Sequence, residues 1–296
     1  MAFAFSTRND TAGQIRRIAL EQADKALRDA EEMAEGFDAT VHRIRRRCKR
    51  LRGLLRLIRP VFDGYARENA TIRDAAAELS DSRDAKVVLD TFDALVADGA
   101  VSLTVEGREA IRALLQPPQG SVSEQHGRAV LEDFTARMRP LRDRIADWQL
   151  DGSGFGLLED GLEATYRTLR EDFATASRSA NAEDLHECRK AVKYHWHHVT
   201  LLERTAPDAL QPQRNALDKL GEHLGDHHNL AVLSERLDSG NGALDRAVVE
   251  RVHSAVAKRQ YDLARAALQL GAQVTAERAG ALRDRFAAYW RLLPER

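Results

Sequence analysis

The pattern His-x-x-Arg-(Arg/Lys)-x-x-Lys occurs twice in this chain, as HRIRRRCK from His42 to Lys49 and as HECRKAVK from His186 to Lys193. The two copies stand 144 residues apart in a chain of 296. Their apolar positions keep step: Val41, Ile44, Cys48, Leu55 and Ile58 correspond to Leu185, Cys188, Val192, Val199 and Leu202. A second pair, SRDAKVVL (Ser82–Leu89) and HHNLAVLS (His227–Ser234), follows in the same order at nearly the same separation. Internal similarity of this kind means that one structural unit is used twice. It predicts two homologous halves, residues 1–150 and 151–296, that together make one domain about a pseudo-two-fold axis. The loop DGSGFG, Asp151–Gly156, is the expected link between them.

The unit is helical. Only 18 Gly and 7 Pro interrupt long stretches of Ala, Leu, Arg, Glu and Asp, and no segment alternates apolar and polar residues as a strand does. The fold class expected is all-α, each half a bundle resembling a four-helix bundle. Breakers place helices at Thr11–Gly36 (Thr11 as N-cap), Phe37–Tyr65 (Pro60 as kink or stop), Asn69–Leu79 and Ser82–Ala97. Val105–Leu150 is helical but interrupted at Gln116–Ser121. Beyond the midpoint, helices are expected at Leu157–Ser179, Ala182–Thr205, Pro212–Leu224, His227–Leu237, Gly242–Leu270 and Ala276–Leu293.

No apolar run approaches the roughly 18 residues that a membrane span needs. The opening MAFAFSTRNDTAG lacks a basic segment followed by an apolar one, so the expectation is a cytoplasmic protein without a membrane partner. Cys48 and Cys188 are the only cysteines, too few for a disulfide framework, and both fall on apolar stripes.

Charge patterning carries the functional reading. The net charge is only -1, yet Val41–Pro60 holds nine Arg and Lys, one His and no carboxylate. On a helical period Val41, Ile44, Cys48, Leu51, Leu55 and Ile58 form one apolar stripe. His42, Arg45, Arg46, Lys49, Arg52 (or the neighbouring Gly53) and Arg56 form a basic stripe beside it. The second copy supplies His186, Arg189, Lys190, Lys193 and His197. Like charges one turn apart are mutually repulsive, and a merely solvated face gives no reason to keep His, Arg and Lys at fixed offsets twice. The two stripes read as walls of a central basic cleft for a polyanion. Arginine matches two phosphate oxygens at once, lysine adds a mobile charge, and histidine gains charge beside an anion. The His-rich second half predicts tighter binding between about pH 6 and 7 than at pH 8.

Other chemistries fit less well. His195/His198 and His223/His227 have helical spacings that suit a metal, but the surrounding cations repel one, and the histidines are expected at the surface or on phosphate. Phosphotransfer on His42 or His186 explains neither the repeat nor the arginines. Single-stranded nucleic acid is the stronger rival, but base stacking needs aromatic platforms, and only Tyr194 and Trp196 are interleaved with the basic residues. No nucleophile elbow or phosphate loop is present.

These residues resemble the CHAD family, the conserved-histidine α-helical domain. The resemblance is carried by the paired basic helices, by GLEATYRTLRE (Gly161–Glu171), DLHECRKAVKYHWHHVTLLE (Asp184–Glu203) and LGDHHNLAVL (Leu224–Leu233), and by the terminal AAYWRLLPE. It implies binding of inorganic polyphosphate and recruitment to polyphosphate granules. Carried over by position, the binding residues are His42, Arg45, Arg46, Lys49, Arg50 and Arg52, with His186, Arg189, Lys190 and Lys193 in the second half. Arg83 and His228 match each other downstream. Arg167 and Arg170 follow Tyr166, and Arg16 and Arg17 are their first-half counterparts. Family members are often joined to a triphosphate tunnel domain marked by Glu-x-Glu-x-Lys. That motif does not occur here, so no enzymatic activity and no cofactor are expected. Tyr194, His195 and Trp196 replace arginines expected in the second basic helix, which makes that wall less charged.

Overall fold

The computed structural model describes residues 3–33, 36–79, 81–116, 124–240 and 245–295, and of 81–85 and 124 the backbone alone. Among these residues there are eleven α-helices, a few short 3-10 turns and no strand. The protein is all-α.

Local chemistry sets the helix ends. α1 (Thr11–Glu32) is capped by Asp10, whose carboxylate accepts from the Gly13 amide at 3.0 Å, so the N-cap stands one residue before the expected Thr11. It ends at Met33, in the left-handed conformation, short of the expected Gly36. α2 (Phe37–Ile58) stops where Pro60 enters a 3-10 turn, Arg59–Val61, because proline offers no amide to continue the helix. A separate α3 (Tyr65–Ala77) follows. α4 (Asp81–Ala97), α5 (Val105–Leu115, capped by the Thr104 hydroxyl) and α6 (Glu124–Arg144) complete the first part. The interruption expected at Gln116–Ser121 lies, from residue 117 on, outside the described residues.

α7 (Glu159–Ser179) and α8 (Ala182–Leu202) follow the midpoint loop, and the Asn181 side chain caps α8 by accepting from the Asp184 amide. α9 corrects the expectation most. It runs unbroken from Pro207 to Ser239, through Pro212, Gly221 and Gly225, where two helices were expected. Gly221 and Gly225 are places of close approach to α8 side chains, not breaks. α10 (Arg246–Val274) and α11 (Ala279–Trp290) close the fold.

α1 packs on α2 and α6, α2 on α3, α7 and α8, α8 on α7 and α9, and α11 on α7. The main core runs through all of these, from Ile15, Ile18, Ile44 and Leu51 to Leu162, Val192, Leu217 and Phe286. Each such side chain contributes about 1.5–3 kcal/mol by leaving water. A smaller core gathers Phe92, Ile111, Leu233 and Val252 from α4, α5 and the far parts of α9 and α10. Among the described residues one acid is wholly buried. Glu68 on α3 accepts two hydrogen bonds from Arg144 on α6, at 2.9 and 2.7 Å, and thereby ties those helices together.

Candidate functional site

The two basic helices touch. A Cβ placed on Gly53 of α2 would lie 2.8 Å from the Cβ of His197 on α8, so only glycine permits the approach. The His198 ring nitrogen Nε2 sits 3.0 Å from the Gly53 carbonyl oxygen and donates to it in the matching tautomer. α7 is pressed as closely on the other side, where a Cβ on Gly161 would fall 1.9 Å from the Leu57 carbonyl oxygen. Cys48 and Cys188 are buried in the core, and burial pushes both thiols up to about 12, so neither is a nucleophile.

Around this crossing, cations of both copies share a neighbourhood. His197 lies in the field of Arg50 and Lys49 from α2 and of Lys193 from its own helix. Asp172 of α7 lies in the field of Lys190 from α8 and Arg56 from α2; burial, then Glu187 and Glu171, nevertheless raise its pKa. Burial and then the charges of Arg47 and Arg46 hold the Arg50 pKa below arginine's ordinary value. His42, Arg46, Lys49 and Lys190 are exposed, whereas Arg45, Arg50, Arg52, Arg56, His186, Arg189 and Lys193 are half-buried.

The cations differ in what already engages them. Arg43 and Arg47 face Asp29, at 3.1 and 3.9 Å. Arg45 donates to the Ala76 carbonyl (3.3 Å) and Arg52 to Asn69 Oδ1 (3.0 Å). Lys190 pairs with Glu187 (2.5 Å) and Lys193 with Asp218 (3.5 Å). Among the described residues, Arg46, Arg50 and Arg56 have no carboxylate within ion-pair distance. Two of them rest on aromatic faces instead: the Arg50 guanidinium carbon is 5.3 Å from the Phe3 ring centre, and that of Arg56 is 4.0 Å from the Tyr194 ring centre.

The seam between α8 and α9 continues the basic strip. Cβ atoms on Gly221 and Gly225 would meet Lys193 Cε at 2.8 Å and Arg189 Nε at 3.3 Å, so these glycines make room for the two cations. Next to them the rings of His186 and His228 pack against each other, centres 4.1 Å apart and planes tilted by 38°. Burial, then Lys190 and Arg189, lower the His186 pKa. Burial, then His186 and Arg189, bring His228 down to about 4. The His228 ring is therefore neutral near pH 7 in the free protein, and the His186 shift runs in the same direction, against the expected advantage of pH 6–7 over pH 8. Positive neighbours and desolvation act together against charging the ring.

Most remaining histidines of the second half are interior. His195, His197, His198 and His227 are buried, and neither ring nitrogen of His195, stacked 4.9 Å from Tyr166, has a hydrogen-bond partner among the described residues. The expectation of surface positions fails for the three on α8 because α2, α7 and α9 cover that helix together, and for His227 because α9 is itself packed between α8, α10 and α4. No group of three His, Cys, Asp or Glu side chains that could hold a metal is found among the described residues.

Other candidates lie apart. Arg167 pairs with Glu163 of its own helix (2.5 Å), and Arg170 donates to the Thr275 carbonyl at the end of α10 (3.1 Å). Arg16 donates to the Trp148 carbonyl (2.8 Å), and Arg17 is 4.0 Å from Glu21. The Arg83 side chain lies outside the described residues. Sequence reasoning undervalued Tyr194 and passed over Phe3; aromatic residues one helix away from unpaired arginines were the available signal.

The fold and this strip define a class: all-α proteins with two basic, histidine-bearing helices in contact. The CHAD domain model matches residues 17–238, and the chain belongs to the CHAD domain family. No match occurs among curated proteins. Among solved structures the chain is similar to the CHAD domain from the plant Ricinus communis, with a TM-score of 0.63 and 20% identity over 98% of this chain and 95% of that one. It is also similar to PptA from Streptomyces chartreusis, with a TM-score of 0.60 and 15% identity over 91% of this chain and 100% of the other. At these identities the likeness is one of fold. Among the described residues no helix is long and apolar enough to cross a membrane.

Proposed function

We propose that this protein binds inorganic polyphosphate along the basic strip where α2 meets α8 and α9, and that it does so without catalysing a reaction. The observation that carries the reading is the gathering of Arg50, Lys49 and Lys193 around His197, with Arg46, Arg50 and Arg56 without carboxylate partners among the described residues. Uncompensated guanidinium groups beside a low-dielectric core favour an anion. A chain of linked phosphates adds many weak contacts, each made intramolecular by the one before.

The repeat supports a two-fold relation between residues 1–150 and 151–296. Gly53 and His197 are equivalent positions of the two copies and are also the residues in contact, as a two-fold axis requires where it passes between helices. Association with polyphosphate granules in the cytoplasm follows as a further part of the proposal. Nucleic acid is the weaker reading, because the Arg56 guanidinium already covers a face of Tyr194 that a base would need.

The test is a titration of the protein with long-chain polyphosphate, pyrophosphate and single-stranded RNA at matched salt. Polyphosphate binding tightest, phosphate for phosphate, is the expected result. Equal competition by pyrophosphate would remove the extended strip, and tighter binding of RNA would replace the ligand.

A further inference from the structure

Tyr194 is where the second basic helix departs from an arginine-rich wall, and its ring has a neighbour that the sequence does not reveal. The Arg56 guanidinium carbon lies 4.0 Å from the centre of that ring, so a cation of one repeat lies over an aromatic face of the other. Stacking of this kind holds a guanidinium through its π face. It leaves the N–H groups, which radiate in the plane, unengaged. Arg56 makes no hydrogen bond and no ion pair among the described residues, and its Nε is out of contact with solvent. The contrast with its neighbours is chemical. Arg45, Arg52 and Arg170 direct N–H groups at the protein's own carbonyl and amide oxygens. Arg56 is held in place with none of its donors engaged.

We infer that Tyr194 is a positioning residue for anion binding: its ring holds the Arg56 guanidinium at the α2–α8 junction, so that its terminal N–H donors are presented to phosphate oxygens. The inference rests on the proposed polyphosphate site and adds to it the residue that orients one of its cations. An unsupported arginine would lose side-chain freedom when an anion binds, whereas a stacked one has lost it already. The replacement of a charge by an aromatic ring therefore strengthens a cation on the facing helix. An acid in electrostatic reach of Arg56, Asp172, lies on α7, and burial together with Glu187 and Glu171 raises its pKa.

The experiment compares wild type, Tyr194→Phe, Tyr194→Leu, Arg56→Ala and the Tyr194→Leu/Arg56→Ala double variant, each titrated with long-chain polyphosphate at several salt concentrations. Melting curves are recorded for each. Tyr194→Leu is expected to weaken binding by about three- to ten-fold, the scale of one cation–π contact, while Tyr194→Phe retains wild-type affinity. In the Arg56→Ala background, Tyr194→Leu has no further effect. Equal affinity of Tyr194→Leu and wild type overturns the inference and leaves the polyphosphate reading standing. Equal weakening by Tyr194→Phe and Tyr194→Leu assigns the effect to the hydroxyl and also overturns it. Additive losses in the double variant do so as well, because positioning through Arg56 requires non-additivity. A wild type that does not bind polyphosphate overturns the function and the inference together. Should Tyr194→Leu melt early, the Arg56 side-chain NMR signals of the free wild type and of Tyr194→Phe decide. Ring-current shifts present in both uphold the stacking; their absence refutes it.

Discussion

His198 of α8 holds the backbone of α2 directly, its Nε2 lying 3.0 Å from the carbonyl oxygen of Gly53. The residue before it, His197, occupies the space where a Gly53 side chain would begin. The junction between the basic helices is thus the α2 backbone packed on two buried imidazoles, and its chemistry makes several outcomes measurable.

Glycine replacement should distinguish yielding from unyielding neighbours. A methyl on Gly53 meets the His197 side chain, whereas on Gly161 it meets the Leu57 backbone carbonyl at 1.9 Å. Gly53→Ala is expected to cost about 1–3 kcal/mol, the usual range for overpacking, and Gly161→Ala more. Thermal melting checks this; a Gly161→Ala protein as stable as wild type would contradict the close α2–α7 packing.

Acid should unfold the protein early. Burial holds His195, His197 and His198 at about 3 in the folded state, while the same side chains titrate near 6.5 when unfolded. Between those values the unfolded chain binds more protons than the folded one, so stability is fully present above about pH 6.5 and falls as the pH drops below it. Each ring contributes a slope on the order of 1 kcal/mol per pH unit in that window. Urea midpoints at pH 7.5, 6 and 5 should decrease in that order, and equal midpoints at pH 7.5 and 5 would show that these rings are not buried neutral.

Two arginines that the sequence offered as binding residues should behave oppositely. Arg56→Ala removes an unengaged guanidinium and is expected to weaken polyphosphate binding and flatten its salt dependence by roughly one counterion, with little change in melting temperature. Arg170→Ala removes a donor to the Thr275 carbonyl and should lower stability by about 1 kcal/mol, with a smaller effect on affinity. Titrations across a salt series, paired with melting curves, separate the two.

Glu68→Gln should be costly away from the site. The carboxylate is fully buried beneath Arg144, whose side chain is 32% exposed and can partly rehydrate. A loss of about 3 kcal/mol is expected, the low end for breaking a buried pair. Chemical denaturation tests it, and a neutral outcome would mean that the pair is not closed in solution.

The sequence declared the helical class and the two basic helices because periodicity and the repeat are local properties. Val41, Ile44, Cys48, Leu51, Leu55 and Ile58 are all buried as the stripe requires. Gly225 misled because an isolated glycine reads as a breaker, while here it lies beneath Arg189 inside an unbroken α9. The buried histidines were illegible for a related reason: burial of His195, His197 and His198 depends on three neighbouring helices, not on α8 itself. Tyr194 illustrates the same limit at the site. Its residue type announced a lost charge, whereas its partner lies 138 positions earlier in the chain.

Because Gly53 carries no side chain, the spacing between the two basic helices is set by the His197 and His198 side chains packed on the α2 backbone, and one turn further along Gly161 brings a third helix onto the Leu57 carbonyl. Such a frame has no slack with which to adapt. If the proposed site is used, the burden of fitting falls on the guest: supple anions with freely rotating linkages would follow the strip, while stiff ladders of charge with their own fixed pitch would have to match the gauge or forfeit contacts.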